Sequence, residues 1–304
     1  MYLEKQPTTK KLQLDKMGWL VQQHNNGEEV ILNNKLQVNL VEFASSLLSH
    51  GFYIGESELA PSSDELDSSW SDFKRTWHNL PTDTYMKDNG TYRQRRYSTM
   101  YYSAKLQQLV RKPYVPLYKS SLYNSFAGDL FRYFEMTEAS LYANKHFKRA
   151  LTLALKTFNR CEALLGNTTP QWFVELDQYR IVAGETTLGK PTPEGMHSDG
   201  TSYFLLMLVE RHNIQGGVSS VYNSKREVIG QTTLKNPGDI MLIDDASVLH
   251  DVSDLISDSA GGHRDILHIS FTNLNSTQAI QRRFGLSESE LALLASDEVQ
   301  SQWI

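Results

Sequence analysis

The second half of the chain is cut into short strand-like runs at 175–182, 201–210, 218–222, 240–244 and 265–271, and this rhythm leaves few architectures open. Gly216-Gly217 and Pro237-Gly238-Asp239 supply turn signals between the runs. Many short strands with no helical stretch between them describe a sandwich or a barrel, because those forms bury one face of each strand and leave few bare edges.

The first half is mixed. Leu40, Val41, Phe43, Leu47 and Leu48 recur at helical spacing before Gly51, and Phe52-Tyr53-Ile54 then reads as a strand. A second helix opens at Ser62, carries Leu66, Trp70, Phe73 and Trp77 on one face, and is limited by Pro81. After the turn Asp88-Asn89-Gly90, residues 91–103 mix aromatic and basic side chains as a strand, and 137–165 reads as a long helix ending at Gly166. Ser287 with Glu290 forms a capping-box pattern ahead of Leu291, Leu293 and Leu294, so the tail is expected to be helical.

The 304 residues, 40% of them hydrophobic, suffice for a large core, and an all-β barrel with helical decoration uses this length as one domain. A single domain over 1–304 is therefore expected, with additions over about 1–90, a core over about 91–274 and a helical tail over 275–304. A net charge of −5 provides no basic field, which argues against a nucleic-acid partner and for a small molecule. The only cysteine, Cys161, falls in the apolar pattern of the long helix, where core packing is its expected role. The N-terminal residues lack the basic-then-apolar order of a secretion signal, and the longest apolar run, 203–209, is too short to span a bilayer. A reducing cytoplasm and no membrane partner are the expectations, and a homodimer is compatible with the sequence.

Against this background one group of residues carries chemistry. His197 and Asp199 stand two apart, so on or just beyond a strand they project to one face and can grip one ion together. A lone His-x-Asp is a weak signal, but residues 193–196 before it and Gly200-Thr201 after it describe a rigid loop feeding a strand. His250 follows the strand 240–243 and the acidic turn Asp244-Asp245, and a return strand of a barrel would bring it beside the first pair. Two imidazoles and one carboxylate leave the opposite face of an octahedral ion open, the donor set of non-heme Fe(II) oxygenases that bind a keto acid and O2. Asp251 is placed to orient His250, while Asp244 and Asp245 compete as carboxylates but read better as turn and surface residues.

Arg264 enters the last strand-like run, and its planar fork suits the distal carboxylate of 2-oxoglutarate. Alternation places Arg264, Ile266, His268 and Ser270 on one face, so Ser270 or His268 would assist the same carboxylate. His263 and His268 flank that arginine and are weaker ligand candidates than His250. His146, in the long helix with no second ligand at helical spacing, reads as a surface or half-buried residue. The arginines of 91–103 either meet a substrate carboxylate or form a ladder of solvated and paired side chains.

Tyr179-Arg180-Ile181, the run from Pro191 through His197, Ser198 and Asp199 to Gly200, Gly216-Gly217, Pro237-Gly238-Asp239, Asp244-Asp245, His250 and Arg264-Asp265 together resemble the 2-oxoglutarate/Fe(II)-dependent dioxygenase family of bacterial L-isoleucine 4-hydroxylase and related free amino-acid hydroxylases. Upstream, 92–97 resembles that family's arginine-rich strand, and Tyr123-Asn124 with Gly128, Arg132 and Phe134 resembles a second block, so the likeness spans roughly 73–274. The resemblance implies an all-β core with helical additions, α+β overall, built as a double-stranded β-helix (jelly-roll, cupin-like) barrel. It implies Fe(II) on His197, Asp199 and His250, 2-oxoglutarate on Arg264, and O2 as the second cosubstrate. Carried over more loosely, Arg180 lines the cosubstrate or substrate pocket, and Arg96 and Tyr97 contact substrate.

The implied activity is hydroxylation of an unactivated C–H bond of a free, aliphatic L-amino acid, with release of succinate and CO2. Related halogenases leave the carboxylate position to a small residue, so Asp199 favours hydroxylation. The alternatives are a hydroxylase of a larger target, such as a peptide, a carrier-tethered amino acid or a natural-product scaffold, and a non-catalytic cupin-like binding protein. Hydrolytic zinc chemistry leaves Arg264 unexplained and finds no His-Glu-x-x-His helix.

Overall fold

The computed structural model describes residues 11–13 and 28–285 apart from Pro113, Leu122, Ser125, Ala127 and Ser259. It opens with strand β1 (Lys11–Gln13), helix α1 (Glu28–His50) and strand β2 (Phe52–Gly55). Helices α2 (Ser63–Asp67) and α3 (Ser69–Arg75) precede the paired strands β3 (Arg93–Ser103) and β4 (Gln108–Arg111). Helices α4 (Ala139–Ala143) and α5 (Lys145–Leu164) lead into β5 (Gln171–Ala183) and β6 (Tyr203–His212). Then come β7 (Gln215–Gly216), β8 (Val218–Tyr222), β9 (Val228–Thr233), β10 (Ile240–Asp244) and β11 (Leu249–Val252). Strands β12 (Leu255–Ile256) and β13 (Gly262–Asn273) follow, with helix α6 (Thr277–Phe284) last. The helix expected from Ser287 lies outside the described residues.

Among the described residues the strands form an eight-stranded sheet in the order β1-β4-β3-β5-β13-β6-β10-β2, a three-stranded sheet β11-β8-β9 and a two-stranded sheet β12-β7, with every strand pairing antiparallel. This sheet-dominated α+β architecture is the expected jelly-roll with helical additions. No helix among the described residues is long and apolar enough to cross a membrane.

The two faces of the large sheet divide by the strand's period of two. On β6, Tyr203, Leu205, Met207 and Val209 pack with Phe43 and Leu47 of α1, Trp70 and Phe73 of α3, and Leu151 and Phe158 of α5. The alternate residues Phe204, Leu206 and Leu208 face the other way, toward Met241, Val248 and Ile266. The helical layer therefore seals one face, and the opposite face is free to carry a site.

Two expected helices are each observed as two. A break at Ser68 (φ −124°, ψ −87°) separates α2 from α3, although Trp70, Phe73 and Trp77 are buried as expected; the Leu66 side chain lies outside the described set. The long helix is divided at Asn144, whose side chain accepts a 2.8 Å hydrogen bond from the His146 amide and caps α5. Cys161 is fully buried in the core, and burial pushes its thiol up to about 12. His146 is more buried than expected, 2% exposed between Trp70 and Phe73, where burial pushes the imidazole down to about 4 and Ser69 Oγ lies 3.0 Å away. It is a core residue far removed in role from a ligand.

Candidate metal centre and its pocket

The backbone itself brings the separated histidines together. His197 and His250 form an antiparallel bridge, each amide donating to the other's carbonyl at 3.0 and 2.9 Å, and their ring centroids stand 4.4 Å apart. His250 lies on β11, a strand beyond the Asp244-Asp245 turn that was not among the expected runs. Asp199 completes the group: one ligand atom from each of His197, Asp199 and His250 falls within 4.8 Å of the others. His197 Nδ1 is 2.8 Å from the Gly195 carbonyl, which selects the Nδ1–H tautomer and leaves Nε2 as the donor atom for an ion.

The electrostatics match that use. Burial pushes the Asp199 carboxyl up, but the Lys119 ammonium and the imidazoles of His197, His250 and His268 outweigh it and hold the group well below the usual carboxylate range. Burial, reinforced by His197, holds His250 well below the usual imidazole range, so its ring is the neutral form a metal requires. Lys119 donates to Asp199 Oδ1, a contact that sequence reasoning did not anticipate, since the loop 112–134 has no periodic pattern to mark its inward residues.

Asp245 corrects another expectation. It is 1% exposed rather than on the surface, and it accepts hydrogen bonds from the Asp199 amide (2.9 Å), the Thr201 amide (2.9 Å) and Ser198 Oγ (3.0 Å). It therefore fixes the ligand loop, and its Oδ1 is 3.9 Å from His250 Nδ1. Asp251, expected to orient His250, instead accepts from the Tyr222 hydroxyl at 2.9 Å. Asp244, expected in a turn at the surface, instead ends β10 half-buried and accepts hydrogen bonds from Ser247 Oγ and the Ala246 amide. Asp245→Ala should weaken Fe(II) binding by about 10–100-fold, the usual effect of removing a ligand's supporting partner, as read by calorimetric titration of the metal. Unchanged affinity would dismiss the orienting role.

A cavity of about 100 Å3 opens over the three ligands, walled by apolar Leu117, Ile181, Phe204, Leu206, Met241 and Ile266. Arg264 and His268 join it from β13, on the face that alternation assigns. Arg264 is 1% exposed, and its Nε and Nη2 have no hydrogen-bond partner among the described residues. Burial and the cross-strand Arg211 push it down to about 9. A guanidinium buried without a counter-charge is costly, so the site fits a carboxylate-bearing ligand, as the donor set of His197, Asp199 and His250 fits Fe(II).

Four expected contacts fall elsewhere. Ser270, though buried on the Arg264 face, is beyond the cavity wall. Arg180 points its fork at Asp265, with bonds of 2.7 and 2.6 Å, and Tyr97 donates to Glu175 at 2.7 Å. Arg96 is engaged by Glu135 and the Met136 carbonyl. All three of these groups are engaged by internal partners and lie outside the cavity lining. The same β3 strand does deliver arginines to the wall, but from the opposite parity: Arg93, paired with Asp83 at 2.8 Å, and Arg95, paired with Asp177. A further group of Glu210, His263 and Asp265 lies on the other face of β13, where Lys74 and Arg180 already pair its carboxylates.

Among solved structures, the chain is similar to a bsmA homolog from Methylobium petroleophilum PM1 (24% identity, TM-score 0.64, covering 77% of this chain and 92% of that one). It is also similar to IDO from Bacillus thuringiensis (19% identity, TM-score 0.62, 77% and 99%). A third likeness is to the Fe(II)/α-ketoglutarate-dependent dioxygenase TqaL (14% identity, TM-score 0.56, 79% and 88%). These likenesses support the fold. No curated protein matches the chain. The profile of a family described as 2OG-Fe dioxygenase matches residues 74–270, a span that encloses all three candidate ligands, Lys119, Asp245 and Arg264. Members of that family use Fe(II), 2-oxoglutarate and O2. A profile match over more than half of the sequence, on a jelly-roll whose seam brings two imidazoles and a carboxylate together, means that this chain belongs to the 2OG-Fe dioxygenase family.

Proposed function

We propose that the protein hydroxylates an unactivated C–H bond of a free, aliphatic L-amino acid, with release of succinate and CO2. The observation that supports this reading most is one cavity holding both the ligand cluster and the unpartnered Arg264 guanidinium. His197, Asp199 and His250 would hold Fe(II), and Arg264 the distal carboxylate of 2-oxoglutarate. Together with O2, the bound ion and keto acid supply the oxidising power that no side chain possesses.

The chain's own residues do the rest. Asp245 and the His197–His250 bridge fix the ligands before anything binds. Leu117, Ile181, Phe204, Leu206, Met241 and Ile266 exclude water and offer an apolar seat for an aliphatic side chain, whose nearest hydrogen is then selected by position.

The test is an aerobic incubation of purified protein with Fe(II), 2-oxoglutarate and a pool of L-amino acids, followed by mass detection of a product one oxygen heavier and by succinate assay. Oxygenated product with matching succinate is expected. If the protein binds Fe(II) and 2-oxoglutarate but no free amino acid stimulates succinate formation, the substrate is a larger target.

A further inference from the structure

The charges in the cavity wall can be paired off, and two are left over. Arg93 is neutralised by Asp83, Arg95 by Asp177 and Lys119 by Asp199, while Arg264 is assigned above to the keto acid. Arg132 has no such partner: it is 2% exposed, lines the cavity, and its Nε has no hydrogen bond among the described residues. Burial, and after it the repulsion of Arg95, push this guanidinium down to about 10. The second remainder is anionic. Glu194 lines the same cavity with its side chain 9% exposed; its Oε1 lies 3.7 Å from His197 Nε2, and its Oε2 is buried with no partner among the described residues.

Both groups are held by backbone. Arg132 exchanges two 2.9 Å hydrogen bonds with Leu117, a bridge that fixes where its side chain departs. Glu194 sits in the turn closed by the 2.9 Å bond from the Gly195 amide to the Thr192 carbonyl, just ahead of the ligand His197. Arg132 and Arg264 reach the cavity from different elements, Arg132 from its bridge with Leu117 and Arg264 from β13.

A buried charged group with an unpartnered polar atom is expensive, and two such groups of opposite sign in one cavity call for an occupant that brings both complements. We propose that Arg132 and Glu194 form a clamp for a zwitterion, Arg132 taking the substrate's α-carboxylate in its fork and Glu194 its α-ammonium. This rests on the oxygenase reading above. The clamp excludes peptide-internal and carrier-tethered amino acids, whose carboxyl is an amide or thioester and carries no charge for Arg132 to meet.

The experiment compares L-valine, L-leucine, L-isoleucine and L-methionine with their N-acetyl and C-amide derivatives, using wild-type enzyme and the variants Arg132→Gln, Arg132→Lys and Glu194→Gln. Product mass gives kcat/KM, and 2-oxoglutarate affinity is measured separately from the visible charge-transfer band of its Fe(II) complex. The wild type should prefer a free acid over both derivatives by about 30-fold or more, the effect of leaving one member of a buried charge pair unmatched. Arg132→Gln should lose a comparable factor on the free acid, narrow the gap to the amide, and leave 2-oxoglutarate binding intact, which also shows that the variant folds. Arg132→Lys should recover part of the loss, and Glu194→Gln should narrow the gap to the N-acetyl form. Equal turnover of blocked and free substrates overturns the clamp, as does weakened 2-oxoglutarate binding in Arg132→Gln with substrate KM unchanged. An intact band with no turnover of any free amino acid also overturns it. Absence of the band in the wild type overturns the oxygenase reading, and the clamp with it.

Discussion

Asp199→Ala should reduce hydroxylation by more than about 100-fold, beyond the loss expected from disturbing a group that merely supports a ligand. The substitution removes the carboxylate of the His197, Asp199 and His250 cluster and strips Lys119 of its counter-charge. An ammonium is then left facing two imidazoles in a buried pocket, where it opposes the arrival of a dication. The expected result is loss of Fe(II) binding by calorimetry together with loss of oxygenated product by mass. Full activity in this variant would remove Asp199 from the ligand set.

Arg264→Met should act in opposite directions on function and stability. A cation whose folded-state pKa lies below its free value is destabilised by the fold in its charged form, and Arg264 is pushed down to about 9. Its charged state at neutral pH therefore costs stability, and a methionine of similar reach relieves that cost. The ligand-free protein should gain about 1–4 kcal/mol, the range seen when apolar side chains replace buried ionic groups, and show a higher Tm by calorimetric scan. The KM for 2-oxoglutarate should rise by about 30-fold or more, because the carboxylate loses a charged, forked partner. A Tm that falls while KM stays unchanged would contradict both halves of the argument.

What could be read from the sequence was what local spacing encodes. The bounds of β8 and β10 match the expected runs, and the parity that put Arg264, Ile266 and His268 on one face of β13 is the parity observed. His197, Asp199 and His250 were legible because their flanking turns mark the ends of strands, and the structure brings them within reach of one ion. Side chains delivered by irregular backbone were not. Lys119 comes from a stretch without periodicity, and Arg132, named only as part of a resembling block, had no role assigned; the Leu117–Arg132 bridge helps to fix where they depart. Arg96 was chosen where Arg93 and Arg95 line the wall, since a one-residue shift in a strand changes the face. Asp245 had the composition of a turn, and nothing local announces that such a residue is buried beneath a ligand loop. Strand β9 was missed because its mostly exposed pattern carries no apolar alternation.

The mutual hydrogen bonds between His197 and His250 have a kinetic meaning. Because the gap between the rings belongs to a stitched seam rather than to two independent loops, an arriving ion spends little of its binding energy gathering its partners. The reverse also holds: any disturbance that unzips this seam, by heat or by an intruding side chain, releases the ion and floods the cavity in a single event. On the proposed reading, retention of iron and exclusion of water would thus be one property of the barrel.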